Sequence, residues 1–269
     1  MSKQISVIGC GWLGLPLAKQ LVSDGYLVKG STTTKSKIET LKKNHIGGYF
    51  VRILNECIEG DITLCLEHSK ILIINVPPGL RTDSNSNYLK RIQNLISYIE
   101  ASTIKYVIFI SSTSVYNDEE NFPIITEENK LNPIKESGRQ LVEVESLLRA
   151  NNKFSSTILR FSGLYGVDRH PATFLSGKNN INNPEAPVNF IHLDDCISII
   201  MLIIKHNLWN EVFNASTIPH PTKKDYYTRI CKTLEIPIPN FESESISKGK
   251  IIDASKLVQQ LNYTFKHKL

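Results

Sequence analysis

Three glycines near the start of the chain have the spacing of a phosphate-binding turn. The run Gly9-Cys10-Gly11-Trp12-Leu13-Gly14 follows a short apolar segment and precedes apolar residues at helical spacing. In such a strand–turn–helix unit the first glycine permits a tight turn, the second lets the backbone approach a pyrophosphate, and the third lets the helix pack against the strand. The helix N-terminus offers N–H groups and the positive end of a dipole. The run therefore predicts a dinucleotide site at Gly9, Gly11, Trp12, Leu13 and Gly14; the alternative is a glycine turn without a ligand.

The residues after the second predicted strand bear on which dinucleotide binds. An NAD site carries an Asp or Glu about twenty residues past the glycines, where it binds the ribose 2′-hydroxyl. Residues 25–38 contain no acid, and three threonines and two lysines follow the strand. Hydroxyl donors and cations suit a 2′-phosphate, so we predict NADP(H), with NAD as the less favoured cofactor, bound by Thr32, Thr33 and Lys35. The alternative is that the threonines cap the next helix and the lysines are solvated.

A doubly wound α/β sheet would position these residues. The first 165 residues alternate short apolar runs with helical stretches, which is typical of a Rossmann-type parallel sheet covered on both faces. The predicted strands are Gln4–Ile8, Tyr26–Ser31, Gly48–Ile53, Ile71–Asn75, Lys105–Ile110 and Ser156–Phe161. The predicted helices are Trp12–Ser23, Lys35–Asn44, Tyr88–Ser102 and Pro133–Ala150. Ligands of such sheets bind beyond the carboxyl ends of the strands, which adds Val76 and Pro77 to the predicted cofactor site.

The pattern changes after Gly166. A loop-like stretch over 167–187 precedes two strands and three helices, at Val188–Ile191, Asp194–His206, Val212–Asn214, Lys223–Leu234 and Asp253–Leu261. We predict a Rossmann domain over residues 1–166 and a small C-terminal substrate lobe over 167–269, partly interleaved with it. Asp194 is expected to cap its helix, and Asp253 or Ser255 the last one.

Composition excludes several classes of function. The net charge is +5, but the basic residues are scattered and form no basic–aromatic array, so we expect no nucleic-acid partner. Five dispersed cysteines lack metal-ligand spacing, which predicts free thiols in a cytoplasmic protein and no metal site. The apolar run Ile197–Ile204 is too short to span a bilayer, and the N-terminus leads directly into the first predicted strand, so we expect no signal peptide and no membrane partner. The sequence leaves open whether the chain forms a homodimer.

Four further segments carry a resemblance to a known family. They are Ile110-Ser-Ser-Thr-Ser-Val-Tyr116, Leu159-Arg-Phe-Ser-Gly-Leu-Tyr-Gly166, Asn189-Phe-Ile-His-Leu-Asp-Asp195 and Lys250–Phe265. In this order, with the glycine run, they resemble the extended short-chain dehydrogenase/reductase superfamily, in its nucleotide-sugar epimerase/dehydratase branch, over nearly the whole chain. The resemblance implies a nicotinamide cofactor with Ser111 beside it, and gives Ser112 the role of the family's catalytic Ser or Thr.

The chain departs from this family at the catalytic dyad. The family uses Tyr-x-x-x-Lys at the start of a helix that follows a proline. The matching segment, residues 133–143, has Lys135 at the Tyr position and Arg139 at the Lys position, and no Tyr lies between Tyr116 and Tyr165. An ordinary Tyr–Lys mechanism therefore cannot run from this helix, and the chain resembles atypical members that keep the cofactor fold and lose the dyad.

Three residues remain candidates for catalysis. Arg139 stays protonated, so it could stabilise an oxyanion near the nicotinamide ribose but cannot act as an acid. Ser112 could hydrogen-bond a substrate carbonyl, or it could simply shape the strand end. Tyr116 could serve as a displaced acid, or it could pack beneath the substrate.

Two residues of the later motifs invite a structural interpretation. His192 is expected to order the substrate lobe rather than to catalyse. Arg160 lies at a strand end inside an apolar run and must have a partner if it is buried, although the sequence does not identify one.

Two functions follow from these residues. The first is an NADP-dependent oxidoreductase or epimerase-like enzyme whose partner is a small-molecule substrate, a sugar nucleotide or a related polar compound. The second is a non-catalytic NADP-binding sensor or assembly protein. Loss of the dyad favours the second, and the preserved lobe with Ser112 and Tyr116 favours the first.

Overall fold

A computed structural model of the chain describes residues 4–80, 83–242 and 245–269. The strands are β1 (Gln4–Ile8), β2 (Leu27–Thr32), β3 (Gly47–Ile53), β4 (Ile58–Gly60), β5 (Ile71–Ile74), β6 (Tyr106–Ser112), β7 (Ile124–Ile125), β8 (Ser155–Phe161), β9 (Gly163–Tyr165), β10 (Phe190–His192), β11 (Val212–Ala215) and β12 (Ile251–Ile252). The helices are α1 (Gly14–Ser23), α2 (Ile38–Lys43), α3 (Ile62–Leu66), α4 (Tyr88–Glu100), α5 (Glu136–Arg149), α6 (Ala172–Leu175), α7 (Leu193–His206), α8 (Lys223–Thr233) and α9 (Ser255–Leu261).

Eight strands form the central sheet in the order β11-β8-β6-β5-β1-β2-β3-β4. β1 pairs in parallel with both β2 and β5, and β4 is an antiparallel edge strand on β3. The chain therefore builds one side of the sheet from β1 through β3 and then starts the other side at β5. The order reverses between β1 and β5, which is where open α/β sheets bind their ligands. The predicted Rossmann-type doubly wound sheet is confirmed.

Burial explains why these segments form strands and helices. Leu72, Ile73 and Ile74 of β5 are fully buried in succession, as expected for a parallel strand that is covered on both faces. On α1 the buried side chains include Leu17 and Leu21, which lie on one face of the helix.

The elements differ from the predicted ones mainly where they are short. The six strands predicted in the first 165 residues match within two residues, but β4 and α3, of three and five residues, were not predicted. The predicted helix Lys35–Asn44 is a 3₁₀ turn at Lys35–Lys37 followed by α2. The four-residue α6 interrupts the predicted loop-like stretch. Short elements contain too few residues to establish a period.

The backbone divides into two units. Unit 1 comprises residues up to Ser112, Ile134–Leu159 and Ile200–Val212; unit 2 comprises Thr113–Pro133, Arg160–Ile199 and Phe213–Leu269. Unit 1 contains β1 to β6 and the glycine turn. Unit 2 contains the parallel pairs β9–β10 and β7–β12 and an apolar cluster around Tyr226. The split of function at residue 166 stays a prediction.

Candidate functional site

The fold itself requires two of the three glycines of the turn, which lies in unit 1. Gly9 has a φ of 98°, and a Cβ there would lie 2.5 Å from the carbonyl oxygen of Asn75. A Cβ on Gly14 would lie 2.1 Å from the carbonyl oxygen of Gly9. These two glycines let the turn, α1 and the end of β5 pack together.

Packing does not require the third glycine. Gly11 is exposed, and a Cβ built there meets no atom within 4 Å in the described chain. The open space lies where α1 begins, since the N–H of Leu15 donates to the Gly11 carbonyl at 3.0 Å. No side chain of the described residues caps this end of α1. A helix N-terminus beside open backbone fits the pyrophosphate of a dinucleotide.

Two residues that sequence reasoning missed hold the turn in place. The side-chain amide of Asn75 donates to the carbonyl of Gly9 at 3.0 Å. The hydroxyl of Ser31 accepts the N–H of Gly9 at 2.9 Å, and the carbonyl of Ser31 accepts the N–H of Cys10 at 2.9 Å. The available signal was their position, since both lie at strand ends beside the reversal of the sheet.

Other predicted cofactor residues divide by exposure. Leu13 is 3% exposed, so its side chain belongs to the core, whereas Trp12 is half-buried. Val76 lies at the glycine turn, because its Cγ1 is 3.1 Å from the Cβ position of Gly9. Pro77 is exposed next to it.

At the end of β2, the three residues predicted to bind a 2′-phosphate differ in their exposure. The hydroxyl of Thr32 is buried and accepts the N–H of Thr34 at 3.2 Å, so it shapes the turn. Thr33 and Lys35 are exposed. Thr34 precedes the 3₁₀ turn without a side-chain capping bond, which disfavours a capping role for this residue.

The two serines at the end of β6 have different surroundings. Ser111 is buried, and its hydroxyl donates to Oε1 of the buried Glu145 on α5 at 2.5 Å. Its side chain therefore serves packing, and only its backbone remains for a cofactor. Ser112, the last residue of β6, is half-buried.

The helix that carries the dyad in the family has two exposed cations here. Lys135 precedes α5 in an extended conformation, and Arg139 lies in the first turn. The Arg139 guanidinium is 3.6 Å from the carboxylate of Glu136, with both side chains more than half exposed. The pair is therefore a weak surface ion pair, and the arginine is accessible to an anion.

Tyr116 and Arg160 form a buried hydrogen-bonded pair in unit 2. The guanidinium of Arg160, which is 2% exposed, donates to the Tyr116 hydroxyl at 2.5 Å. The hydroxyl oxygen also lies 3.1 Å from Oδ1 of Asn214 and 3.2 Å from the carbonyl of Thr126. Burial raises the pKa of Tyr116, and the charge of Arg160 opposes that shift. These contacts supply the partner that Arg160 needed, and they favour packing over acid catalysis for Tyr116.

The predicted N-cap role of Asp194 is wrong. α7 begins one residue earlier, at Leu193, and the N–H of Asp194 donates to Nδ1 of His192 at 3.2 Å. His192 rather than Asp194 therefore caps this helix, because Asp194 already lies in its first turn. His192 packs edge-to-face on Tyr165, with ring centres 5.0 Å apart, which agrees with the structural role expected for it.

No helix in the described ranges is long and apolar enough to cross a membrane.

The model of the NAD dependent epimerase/dehydratase family matches residues 5–216. Protein YeeZ of Escherichia coli strain K12 is 33% identical over 267 residues, which cover 98% of this chain and 96% of that protein.

Solved structures share the fold. The UDP-glucuronic acid 4-epimerase of Bacillus cereus, in complex with UDP-glucuronic acid and NAD, has a TM-score of 0.80 at 20% identity. The match covers 98% of this chain and 95% of that chain. The UDP-glucose 4-epimerase of Thermotoga maritima, with UDP-glucose, has a TM-score of 0.78 at 17% identity. The match covers 98% of this chain and 94% of that chain. At these identities the likeness is one of fold. The extent of the family match and the relative of nearly equal length lead to one conclusion: the chain belongs to the NAD dependent epimerase/dehydratase family.

Proposed function

We propose that this protein is an NADP-dependent oxidoreductase or epimerase-like enzyme acting on a sugar nucleotide or a related small polar substrate. The observation that carries the proposal is the open space at Gly11. The fold explains Gly9 and Gly14, whereas packing does not require a glycine at position 11, and a pyrophosphate that approaches the backbone there would. The names of structural neighbours, which mention UDP-glucose and UDP-glucuronic acid, suggest the substrate class.

The glycine turn and the end of β2 would hold the cofactor. The backbone of residues 9–14 would receive the pyrophosphate, with Asn75 and Ser31 fixing its shape. Thr33 and Lys35 are exposed and would face the 2′-phosphate of NADP. A carboxylate there would repel that phosphate, and residues 25–38 contain none. When bound, a nicotinamide cofactor supplies or accepts a hydride.

Fluorescence titration with NADPH and NADH tests the cofactor. We expect NADPH to bind at least about tenfold more tightly, which is about 1.4 kcal/mol. Gly11→Val should abolish binding while the protein stays folded, because the new side chain fills only the open space. Gly47→Ala is a matched control, since its added Cβ meets no atom closer than 3.5 Å, and it should bind normally. Preference for NADH, or full affinity in Gly11→Val, would contradict the proposal.

The substrate chemistry would rest on Ser112 and Arg139. Ser112 ends β6 and is half-buried, so its hydroxyl could hydrogen-bond a substrate carbonyl. Arg139 would offer positive charge to a developing oxyanion without moving a proton. Since Tyr116 uses its hydroxyl internally, the protein supplies little acid–base catalysis. We therefore expect weak or no activity in standard epimerase and 4,6-dehydratase assays.

Single-turnover oxidation of NADPH, with a panel of keto-sugar nucleotides and small carbonyl compounds, tests this assignment. Ser112→Ala should slow hydride transfer by more than tenfold, because the carbonyl loses its hydrogen-bond donor. Lys135→Ala should have a smaller effect, since this exposed residue lies outside α5. Turnover that is lost only in Lys135→Ala would show that the chemistry lies elsewhere.

The second candidate is a non-catalytic NADP-binding sensor or assembly protein. The observation that favours it is the pair of exposed cations, Lys135 and Arg139, where the family has a Tyr and a Lys, together with the internal bonding of Tyr116. Tight NADPH binding without turnover of any substrate in the panel would support this function.

A further inference from the structure

Three side chains of unit 2 converge at the N-terminal end of α7. Nδ1 of His192 lies 3.4 Å from Oδ2 of Asp194, and Nε2 of His267 lies 3.1 Å from the same oxygen. The three donor atoms all lie within 4.8 Å of one another. His267 belongs to the C-terminal segment, 73 residues after Asp194, so the tertiary fold creates this cluster.

In this cluster Nδ1 of His192 lies beside a carboxylate oxygen of Asp194. Because Nδ1 of His192 accepts the backbone N–H of Asp194, this nitrogen carries a lone pair rather than a proton. The same nitrogen lies 3.4 Å from Oδ2 of Asp194, so an ion bound there would take this lone pair in place of the backbone N–H of Asp194. An imidazole nitrogen with a lone pair and a carboxylate oxygen are both metal ligands, so this pair is able to hold a cation.

The donors combine one fixed group with two adjustable ones. The His192 side chain is 10% exposed and packs on Tyr165, whereas those of Asp194 and His267 are 55% and 38% exposed. The rings of His192 and His267 stack, with centres 3.6 Å apart and planes at 24°. Coordination of one ion needs both nitrogens to point at it, so the exposed His267 ring must tilt out of the stack while Asp194 adjusts.

We propose that His192, Asp194 and His267 bind a divalent transition-metal ion of the Zn²⁺ type. Two imidazoles and one carboxylate are a ligand set that Zn²⁺ uses, and three protein ligands leave a further position open. That position would face a cavity of about 410 Å³ in unit 2, whose lining includes Tyr165, His170 and Lys266. All three ligands belong to unit 2, and the proposal does not depend on the proposed catalytic activity.

The metal would join the C-terminal segment to the start of α7. Asp195, next to Asp194, already accepts the N–H groups of Lys266 and His267 at 2.8 and 3.4 Å, so the backbone that carries His267 is held in place. An ion would add a side-chain link to these backbone bonds. Bound metal should therefore raise the melting temperature of the protein.

Titration of the untagged protein with Co²⁺ alone tests the proposal, with Zn²⁺ competition followed by calorimetry. We expect one Co²⁺ per chain, a visible absorption band stronger than that of aqueous Co²⁺, and displacement by Zn²⁺. His267→Ala and Asp194→Asn should each weaken binding at least about tenfold. Asp194 is exposed and His267 is half-buried, so we expect these variants to keep the fold even if His192→Ala does not.

His206→Ala is the matched control, since it removes an exposed histidine at the other end of α7 and should leave Co²⁺ affinity unchanged. Absence of saturable Co²⁺ binding, or equal affinity in Asp194→Asn and the parent, would overturn the site. NADPH affinity should be the same in all these variants, so failure of the metal site is distinguishable from failure of the proposed function.

Discussion

At the residue scale, burial decides which polar side chains near the sites are available for chemistry. The Tyr116 hydroxyl has one proton to donate and is surrounded by Arg160, Asn214 and the carbonyl of Thr126. Desolvation raises the pKa of this phenol, so it remains protonated at neutral pH. An acid must reach its substrate, and this hydroxyl is bonded inside unit 2. Ser112, which is half-buried, is better placed for a substrate than its buried neighbour Ser111.

The thiol in the glycine turn should be unreactive although the turn is the proposed dinucleotide site. Desolvation raises the pKa of Cys10 to about 12, only partly offset by a backbone hydrogen bond from Ser31. Thiolate is the reactive form, so the raised pKa leaves the Cys10 thiol almost entirely protonated at pH 8. We expect iodoacetamide to label the exposed Cys57 first, as followed by mass spectrometry. In urea both should react at similar rates; equally fast labelling of Cys10 in the folded protein would contradict the prediction.

At the element scale, the carboxyl end of β5 links the glycine turn to α4. Asn75 follows β5 and donates to the Gly9 carbonyl. The next residue, Val76, accepts the Tyr88 hydroxyl of α4 at 2.6 Å, and Arg91 donates to the carbonyl of Pro78 at 3.0 Å. The loop after β5 is therefore held by side chains from both directions, which keeps a backbone with two prolines in a single path beside the turn.

Asn75 should act as a positioning residue for the dinucleotide turn. Asn75→Ala removes the bond to Gly9, and we expect NADPH affinity to fall at least about fivefold, or about 1 kcal/mol. The rise in melting temperature that NADPH produces should shrink accordingly. Asn44→Ala is a control, since it removes a comparable amide-to-carbonyl bond, to Thr40, at the end of α2. Unchanged NADPH affinity in Asn75→Ala would show that the turn keeps its shape without this bond.

At the scale of the whole molecule, hydrogen bonds join segments that lie far apart in the chain. In unit 2 the fully buried carboxylate of Asp195 accepts the Tyr263 hydroxyl at 2.5 Å and the N–H of Lys266 at 2.8 Å. One buried carboxyl group on α7 thus holds the C-terminal segment through hydrogen bonds. A buried carboxylate is tolerated only when donors satisfy it, and here the C-terminal segment supplies these two and a weaker third.

Asp195→Ala should destabilise the protein and release its C-terminal segment. Loss of the carboxylate leaves buried donors without an acceptor, so we expect the free energy of unfolding in urea to fall by about 2–4 kcal/mol. Limited proteolysis should then cleave the last ten residues or so sooner than in the parent. Asp168→Ala, an exposed aspartate of the same unit, should change neither measurement. A C-terminal segment that resists protease in Asp195→Ala would mean that apolar packing alone holds it.

Local patterns in the chain were enough to predict the sheet and the glycine turn. The strands β1 and β5 and the helix α1 each have a period or an unbroken apolar run, and these depend on neighbours in sequence. The same holds for the G-x-G-x-x-G spacing and for the missing acid after β2. The predicted loss of the Tyr–Lys dyad also came from the sequence, because it concerns residue type at matched positions, and it stays a prediction.

Contacts between distant parts of the chain were beyond such patterns. Asn75 holds Gly9 from 66 residues away, Arg160 meets Tyr116 across 44, and His267 reaches Asp194 across 73. The position of α7 in the fold also moved the cap from Asp194 to His192, since a helix can start one residue earlier at little cost in sequence pattern. A side chain's partner depends on which elements the sheet brings together, and neither residue type nor spacing encodes that neighbour directly.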